Sequence, residues 1–412
     1  MQLSELTALL TPEGLRLLDG VGPIDSTDAV ARAVTRLRAA GHSPDLVSAV
    51  VGQARLRAKA VAKFGGFAER MLFTRAGLEQ ATRLGVAARH AGRMRAAGIT
   101  GVADLGCGIG GDALAFAGAG LEVHAVDADE VTAAIAAYNL APFGGDVTVQ
   151  QGTAEEFADT HLGRGLDSSE EAAHLRDAPT AVWLDPARRT AGHSETRRVA
   201  ASDYSPALDW AFALAERVPT GIKLGPGHDR NALPTGSEAQ WVSADGSVVE
   251  LVLWSGPLAR EGVRRAAMVI RGDETHELTA PADAEDAEVR ALGAYVHEPD
   301  GAVIRARLIG DLAREHDAGM LDPHIAYLTS DAPLDSPFAA SFRVREVLPV
   351  QPKAISAALK KADIGRLEIK KRGVDIDPAA FRKKLALRGS REATLILARI
   401  GDARHAILAD RA

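Results

Sequence analysis

The chain has 412 residues, 46% of them apolar and 25% charged, with a single cysteine and a formal net charge of −7. That length exceeds one compact core, so about two to four domains are expected. No stretch reaches the ~20 apolar residues of a membrane span and no basic run precedes an apolar core in the first ten residues. A lone Cys107 excludes an internal disulfide and a cysteine-rich zinc site, so a soluble cytoplasmic protein without a metal is the expectation.

The charge is unevenly spread. Residues 32–95 hold thirteen Lys or Arg against Asp45, Glu69 and Glu79, and residues 343–388 hold thirteen against five acids. Two basic segments bracketing an acidic middle suit an enzyme that meets a polyanion, because local potential steers a phosphate backbone whatever the net charge. Solvated helix faces are the plainer reading of the same residues.

In chain order, residues 28–37 and 45–62 repeat apolar positions at helical spacing, so residues 1–95 read as a helical N-terminal domain. From Gly101 strands and helices alternate: strands at 102–105 and 122–127, helices at 112–119 and 130–140, and strands at 147–150, 180–184 and 221–224. A further helix is read at 204–216, and the acidic, Gly/Ser-containing residues 159–179 read as an inserted loop. This alternation implies an α/β domain over 96–258 with a parallel sheet. Residues 259–335 read as a small module with a strand at 266–270, an acidic stretch at 273–300 and a helix at 302–316. Pro333 and Pro337 mark a boundary. Residues 336–412 follow as a second small α/β module, with strands at 342–347, 367–370, 393–399 and 405–409 and helices at 354–361 and 378–387.

A strand ending in Asp104 runs into Gly106, Gly108 and Gly110 before a helix, giving a side-chain-free turn that a ligand can approach closely. Gly111 also stands at the third glycine of the dinucleotide fingerprint, so the glycines alone do not choose between S-adenosylmethionine and NAD. Asp104 does: its carboxylate at the turn suits an ammonium and repels a pyrophosphate. Asp127, about 20 residues on, closes the second strand where a carboxylate accepts ribose hydroxyls.

Residues 102–112 resemble motif I of the class I methyltransferases, and residues 123–127 resemble their ribose-binding strand. The resemblance implies a Rossmann-like sheet, S-adenosyl-L-methionine as cofactor, and an adenine contact after the third strand, where Thr153 and Glu155 both stand as candidates. An exposed loop without a role is an equal reading of that turn.

Asp185-Pro186-Ala187-Arg188-Arg189 follows the fourth strand and resembles the Asp-Pro-Pro-Tyr loop of enzymes that methylate exocyclic amines. Ala187 and Arg188 replace its second proline and its aromatic, which puts amine methylation of a flipped base in doubt. Asp185 is the candidate to orient a nucleophile and take its proton, with Pro186 and Arg188 beside it. Arg188, Arg189 and Lys223 are candidate substrate contacts, with local ion pairs and an ordinary turn as the alternatives. Pyrimidine C5 methylation needs a cysteine nucleophile, and Cys107 lies inside the glycine loop, so that mechanism is excluded. Thr74 either caps a helix with Glu79 exposed or belongs to a segment that covers the cofactor; His90, His124 and His228 lack partners at ligand spacing and receive no role.

The whole chain, including residues 72–82, resembles bacterial class I methyltransferases with a THUMP-like C-terminal domain. This implies an α/β fold with an N-terminal helical domain and small C-terminal ferredoxin-like or THUMP-like modules, and RNA as substrate and partner. A catalytically silent RNA-binding protein and a methyltransferase for a non-RNA substrate are the alternatives.

Overall fold

A computed structural model describes residues 1–162, 180–188, 204–385 and 387–412. Most of the expected loop 159–179, and Arg189, lie outside the described residues. The chain divides into two compact units.

The first unit comprises Met1–Leu224, Pro234–Ser237 and Leu253–Ala259. It opens with six helices: α1 (Leu3–Leu9), α2 (Pro12–Val21), α3 (Thr27–Ala39), α4 (Pro44–Phe64), α5 (Arg75–Gln80) and α6 (Leu84–Ala96). Thr11, Ser26, Ser43 and Thr74 each accept a backbone N–H at a helix start, which is why the chain restarts where these residues stand. Then β1 (Gly101–Leu105), α7 (Gly111–Gly118), β2 (Glu122–Asp127), α8 (Glu130–Leu140), β3 (Val147–Gln151), α9 (Ala154–His161) and β4 (Ala181–Leu184) alternate as expected.

The expected helix over 204–216 is shorter. Tyr204–Ser205 form β6, which pairs antiparallel with β5 (Ala187–Arg188), and only α10 (Leu208–Ala215) is helical before β7 (Thr220–Leu224). Pro206 explains the delay, since it disfavours helical geometry at the residue before it.

Strands β3, β2, β1, β4 and β7 lie side by side in that order, with β1 parallel to both its neighbours. The order reverses between β1 and β4, the place where open α/β sheets leave a crevice beyond their carboxyl ends. All residues of β1 and β4 are buried, as a sheet covered on both faces requires.

The second unit comprises Gly225–Leu233, Glu238–Val252 and Arg260–Ala412. Its strands β8 (Glu238–Ala244), β9 (Ser247–Trp254), β10 (Arg265–Arg271) and β11 (Glu274–Ala280) lie in the order β11-β10-β8-β9. Asp245 and Gly246, both at positive φ, make the two-residue turn between β8 and β9, an Asp-Gly hairpin absent from the expected elements. The remaining elements are β12 (Tyr295–Pro299), α11 (Gly301–Arg305), α12 (Ile309–Glu315), β13 (Gly319–Asp322), β14 (Ile325–Ser330), β15 (Ala339–Pro349), α13 (Pro352–Lys361), β16 (Ile364–Arg372), α14 (Pro378–Arg382), β17 (Arg391–Ile400) and β18 (Ala403–Arg411).

The acidic stretch 273–300 thus contains β11 and β12, and the single helix expected over 302–316 is two, because Arg307 at φ 60° ends the first. Residues 259–335 and 336–412, read separately above, supply one seven-stranded sheet in the order β13-β14-β12-β15-β18-β17-β16. One core beneath it joins Val296, Leu321 and Tyr327 to Phe342, Ile396 and Ile407. Among the described residues no helix is long and apolar enough to cross a membrane.

Candidate active site

Register places the expected residues in one row. Leu105, Val126, Leu184 and Ile222 are aligned across β1, β2, β4 and β7. The next residue of each strand, Gly106, Asp127, Asp185 and Lys223, therefore stands at the same carboxyl edge.

Gly106, Gly108 and Gly110 have φ of 89°, 57° and 86°, a region in which L side chains are strained. A methyl on Gly106 would stand 3.2 Å from the Asp185 carbonyl oxygen, and one on Gly110 3.3 Å from the Leu140 side chain. At Gly108 the same position is open space, so beyond its positive φ no neighbouring atom of the fold excludes a side chain there.

Asp104 is 1% exposed, and its Oδ2 has no hydrogen-bond partner among the described residues. Burial, then the charges of Asp112 and Asp185, raise its carboxyl far above the ordinary range, although Lys223 and the Ala113 amide oppose them. Asp127 is tied at both oxygens, Oδ2 accepting from the Gly108 amide at 2.9 Å and Oδ1 from the Asp129 amide at 3.0 Å. An unpartnered buried carboxylate oxygen beside a glycine turn is the environment that an ammonium-bearing ligand group satisfies. Burial raises the Cys107 thiol well above its ordinary value, which keeps it neutral.

Beyond β3, Thr153 caps α9: its Oγ1 accepts the Glu156 amide at 3.2 Å while the Glu156 carboxylate accepts the Thr153 amide. Glu155 is half-buried in the first turn of that helix. Pro186 is buried, and Arg188 lies in β5 opposite Tyr204. Asp185 and Lys223 meet, Oδ2 to Nζ, at 2.5 Å.

Three residues that received no role belong to this edge. Lys223 donates to Thr82 Oγ1 at 3.0 Å, Thr82 donates to Asp112 Oδ2 at 2.7 Å, and His90 Nδ1 stands 2.9 Å from Asp112 Oδ1. The His90 ring packs on Trp183 with centroids 4.4 Å apart. Burial pushes the Asp112 carboxyl up, but the hydrogen bond and charge of His90, with Lys223 and Thr82, bring it below its ordinary value. Spacing along the chain could not reveal this set, because it arises where α6 packs on α7. The nearest signal was an acid directly after the glycine turn.

The capping reading of the segment before α6 holds: Thr74 caps α5 with Glu79 exposed. The same segment packs on the glycine turn, Gly77 against Ile109 and Ala81 against Gly111. Asn139 accepts from the Leu72 amide and donates to the Leu72 and Ile109 carbonyls at 3.0 and 2.8 Å, and Gln53 bonds both backbone groups of Phe73. Lys63 donates to the Glu79 and Ala81 carbonyls; burial and the nearby charges of Lys223 and Arg83 lower its pKa. Among the described residues no group of three or more His, Cys, Asp or Glu side chains is arranged to hold a metal.

Residues 339–411 match the THUMP domain-like family, and residues 2–60 match a domain of unknown function. A solved structure from Porphyromonas gingivalis W83, named a putative methyltransferase, superposes with a TM-score of 0.69 at 21% identity, covering 94% of this chain and 99% of its own. Uncharacterized S-adenosylmethionine-dependent methyltransferases from two strains of Mycobacterium tuberculosis are each 32% identical over 374 residues, 89% of this chain and 95% of theirs. With that identity along nearly the whole length, the chain belongs to the S-adenosylmethionine-dependent methyltransferases, and S-adenosylmethionine is its cofactor.

Proposed function

We propose that this methyltransferase holds its cofactor with Asp104, Gly106, Gly108, Gly110, Asp127 and the turn carrying Thr153 and Glu155, and methylates RNA beside Asp185. The bound cofactor supplies a methyl group on a sulfonium, already activated for in-line displacement. The chain's own residues have to orient a nucleophile and accept its proton. Asp185 suits both tasks: it stands at the sheet edge, partly exposed, with the Lys223 ammonium at ion-pair distance. Pro186 and Arg188 continue the same loop, and the positive charges of Arg188 and Arg189 suit an RNA phosphate, whereas the Lys223 ammonium is directed to Asp185 and Thr82.

The observation that carries the cofactor assignment is the unpartnered Asp104 Oδ2, buried at the row of carboxyl ends that also presents Gly108 and Asp127. RNA as the substrate is supported by the THUMP domain-like match and by the basic balance of residues 343–388, where Lys353, Lys360, Lys361, Lys383, Lys384 and Arg388 are exposed. Calorimetric titration with S-adenosylhomocysteine, on the wild type and on Asp104→Ala, tests the site. Binding that the substitution abolishes is expected; equal binding by both proteins refutes the role of Asp104.

A further inference from the structure

Lys223 is positioned from behind. Its ammonium reaches Asp185 Oδ2 at 2.5 Å and Thr82 Oγ1 at 3.0 Å. A threonine hydroxyl has one hydrogen, and here it goes to Asp112 Oδ2 at 2.7 Å, so the oxygen faces Lys223 as an acceptor. Asp112 is 6% exposed and, being ionised, accepts at both oxygens, which leaves His90 Nδ1 as the donor at 2.9 Å. In the order His90, Asp112, Thr82, Lys223, Asp185 these contacts form a continuous line, and the direction of each hydrogen bond along it is determined. It joins α6, the turn before α6, the first turn of α7, the end of β7 and the loop after β4.

We infer that His90, Asp112 and Thr82 are positioning residues for methyl transfer: they hold the Lys223 ammonium in place, and Lys223 holds the Asp185 carboxylate at the sheet edge. This rests on the reading of Asp185 as the place where substrate meets cofactor. The helical segment ahead of the sheet thereby supplies part of the active site.

The arrangement has the features of a support rather than of incidental packing. Buried hydrogen-bonded charges rigidify when every member is satisfied. Asp112 lies in the first turn of α7, where the helix dipole favours an anion. His90 is fixed on its other sides by the rings of Trp183 and Trp254 at 4.4 and 6.1 Å.

The test needs no knowledge of the RNA. Sinefungin carries an ammonium where the cofactor carries its methylated sulfonium, and S-adenosylhomocysteine carries neither. The ratio of their affinities by calorimetry therefore reads the carboxylate at the transfer position. The wild type should prefer sinefungin, and Asp185→Asn should lose that preference by about tenfold, the scale of one charge-assisted hydrogen bond. Thr82→Val should lose a comparable part of the preference while binding S-adenosylhomocysteine normally, and Thr82→Ser should restore it. Asp112→Asn should shift the ratio in the same direction and serves if Thr82→Val does not fold. A ratio changed by Asp185→Asn but untouched by Thr82→Val and Asp112→Asn overturns the inference alone. A ratio untouched by Asp185→Asn refutes the reading of Asp185 and takes the inference with it. Equal weakening of both ligands by Thr82→Val reduces Thr82 to a structural role.

Discussion

An aspartate that is 1% exposed with an unpartnered oxygen weakens the cofactor-free protein in a pH-dependent way. Because the folded-state pKa of Asp104 is raised, the native state binds more protons than the unfolded state in the window from about 3.9 upward to that raised value. Stability from this residue is therefore lost as pH rises through the window. Asp104→Asn should raise the melting temperature of the cofactor-free protein at pH 8 by more than at pH 5, as calorimetric scans at both values would show. A difference that does not grow with pH would mean that Asp104 is not strained. Asp127 shifts in the same direction through burial, whereas Asp112 shifts in the opposite one because His90 and Lys223 compensate it. Three aspartates at one edge are thus distinguished by their neighbours, which a sequence lists only as identical letters.

Two glycines of the β1–α7 turn separate folding from binding. Gly108→Ala meets only its positive φ, worth roughly 1–2 kcal/mol, and places a methyl in open space, on the side proposed above for the cofactor. Gly110→Ala meets a similar φ and also crowds Leu140 at 3.3 Å. Gly110→Ala should therefore be the less stable of the two in denaturant titration. Gly108→Ala should lose affinity for S-adenosylhomocysteine out of proportion to its stability. The reverse ranking would place the ligand elsewhere. The strand, turn and helix were readable here because period and glycine spacing are local. The cover over the turn was only half readable: Asn139 and Gln53 tie residues 72 and 73 from helices 67 and 20 positions away, a pairing that periodicity does not contain.

Across the molecule, the basic C-terminal segment is not a detachable module. Strands β15, β17 and β18 share a sheet with β12, and Val296 and Leu321 share a core with Phe342 and Ile396, so deleting the segment would expose that core. Charge reversal is the cleaner probe. Lys383→Glu, Lys384→Glu and Arg388→Glu change exposed residues, and together they should weaken binding of transcribed tRNA and flatten its salt dependence, by about one logarithmic unit of slope for each phosphate no longer neutralised. Filter binding across a salt series checks this, with unchanged S-adenosylhomocysteine affinity as the control; an unaltered slope would assign RNA another surface. By itself the sequence determined the parallel α/β core, the glycine turn with Asp104 and Asp127, and Asp185 after β4, because each is written in short-range period and turn chemistry. Only the tertiary structure decided that residues 259–412 supply a single sheet and that His90, Asp112 and Thr82 stand behind Lys223, because sheet pairing and helix packing join residues whose separation along the chain carries no signal.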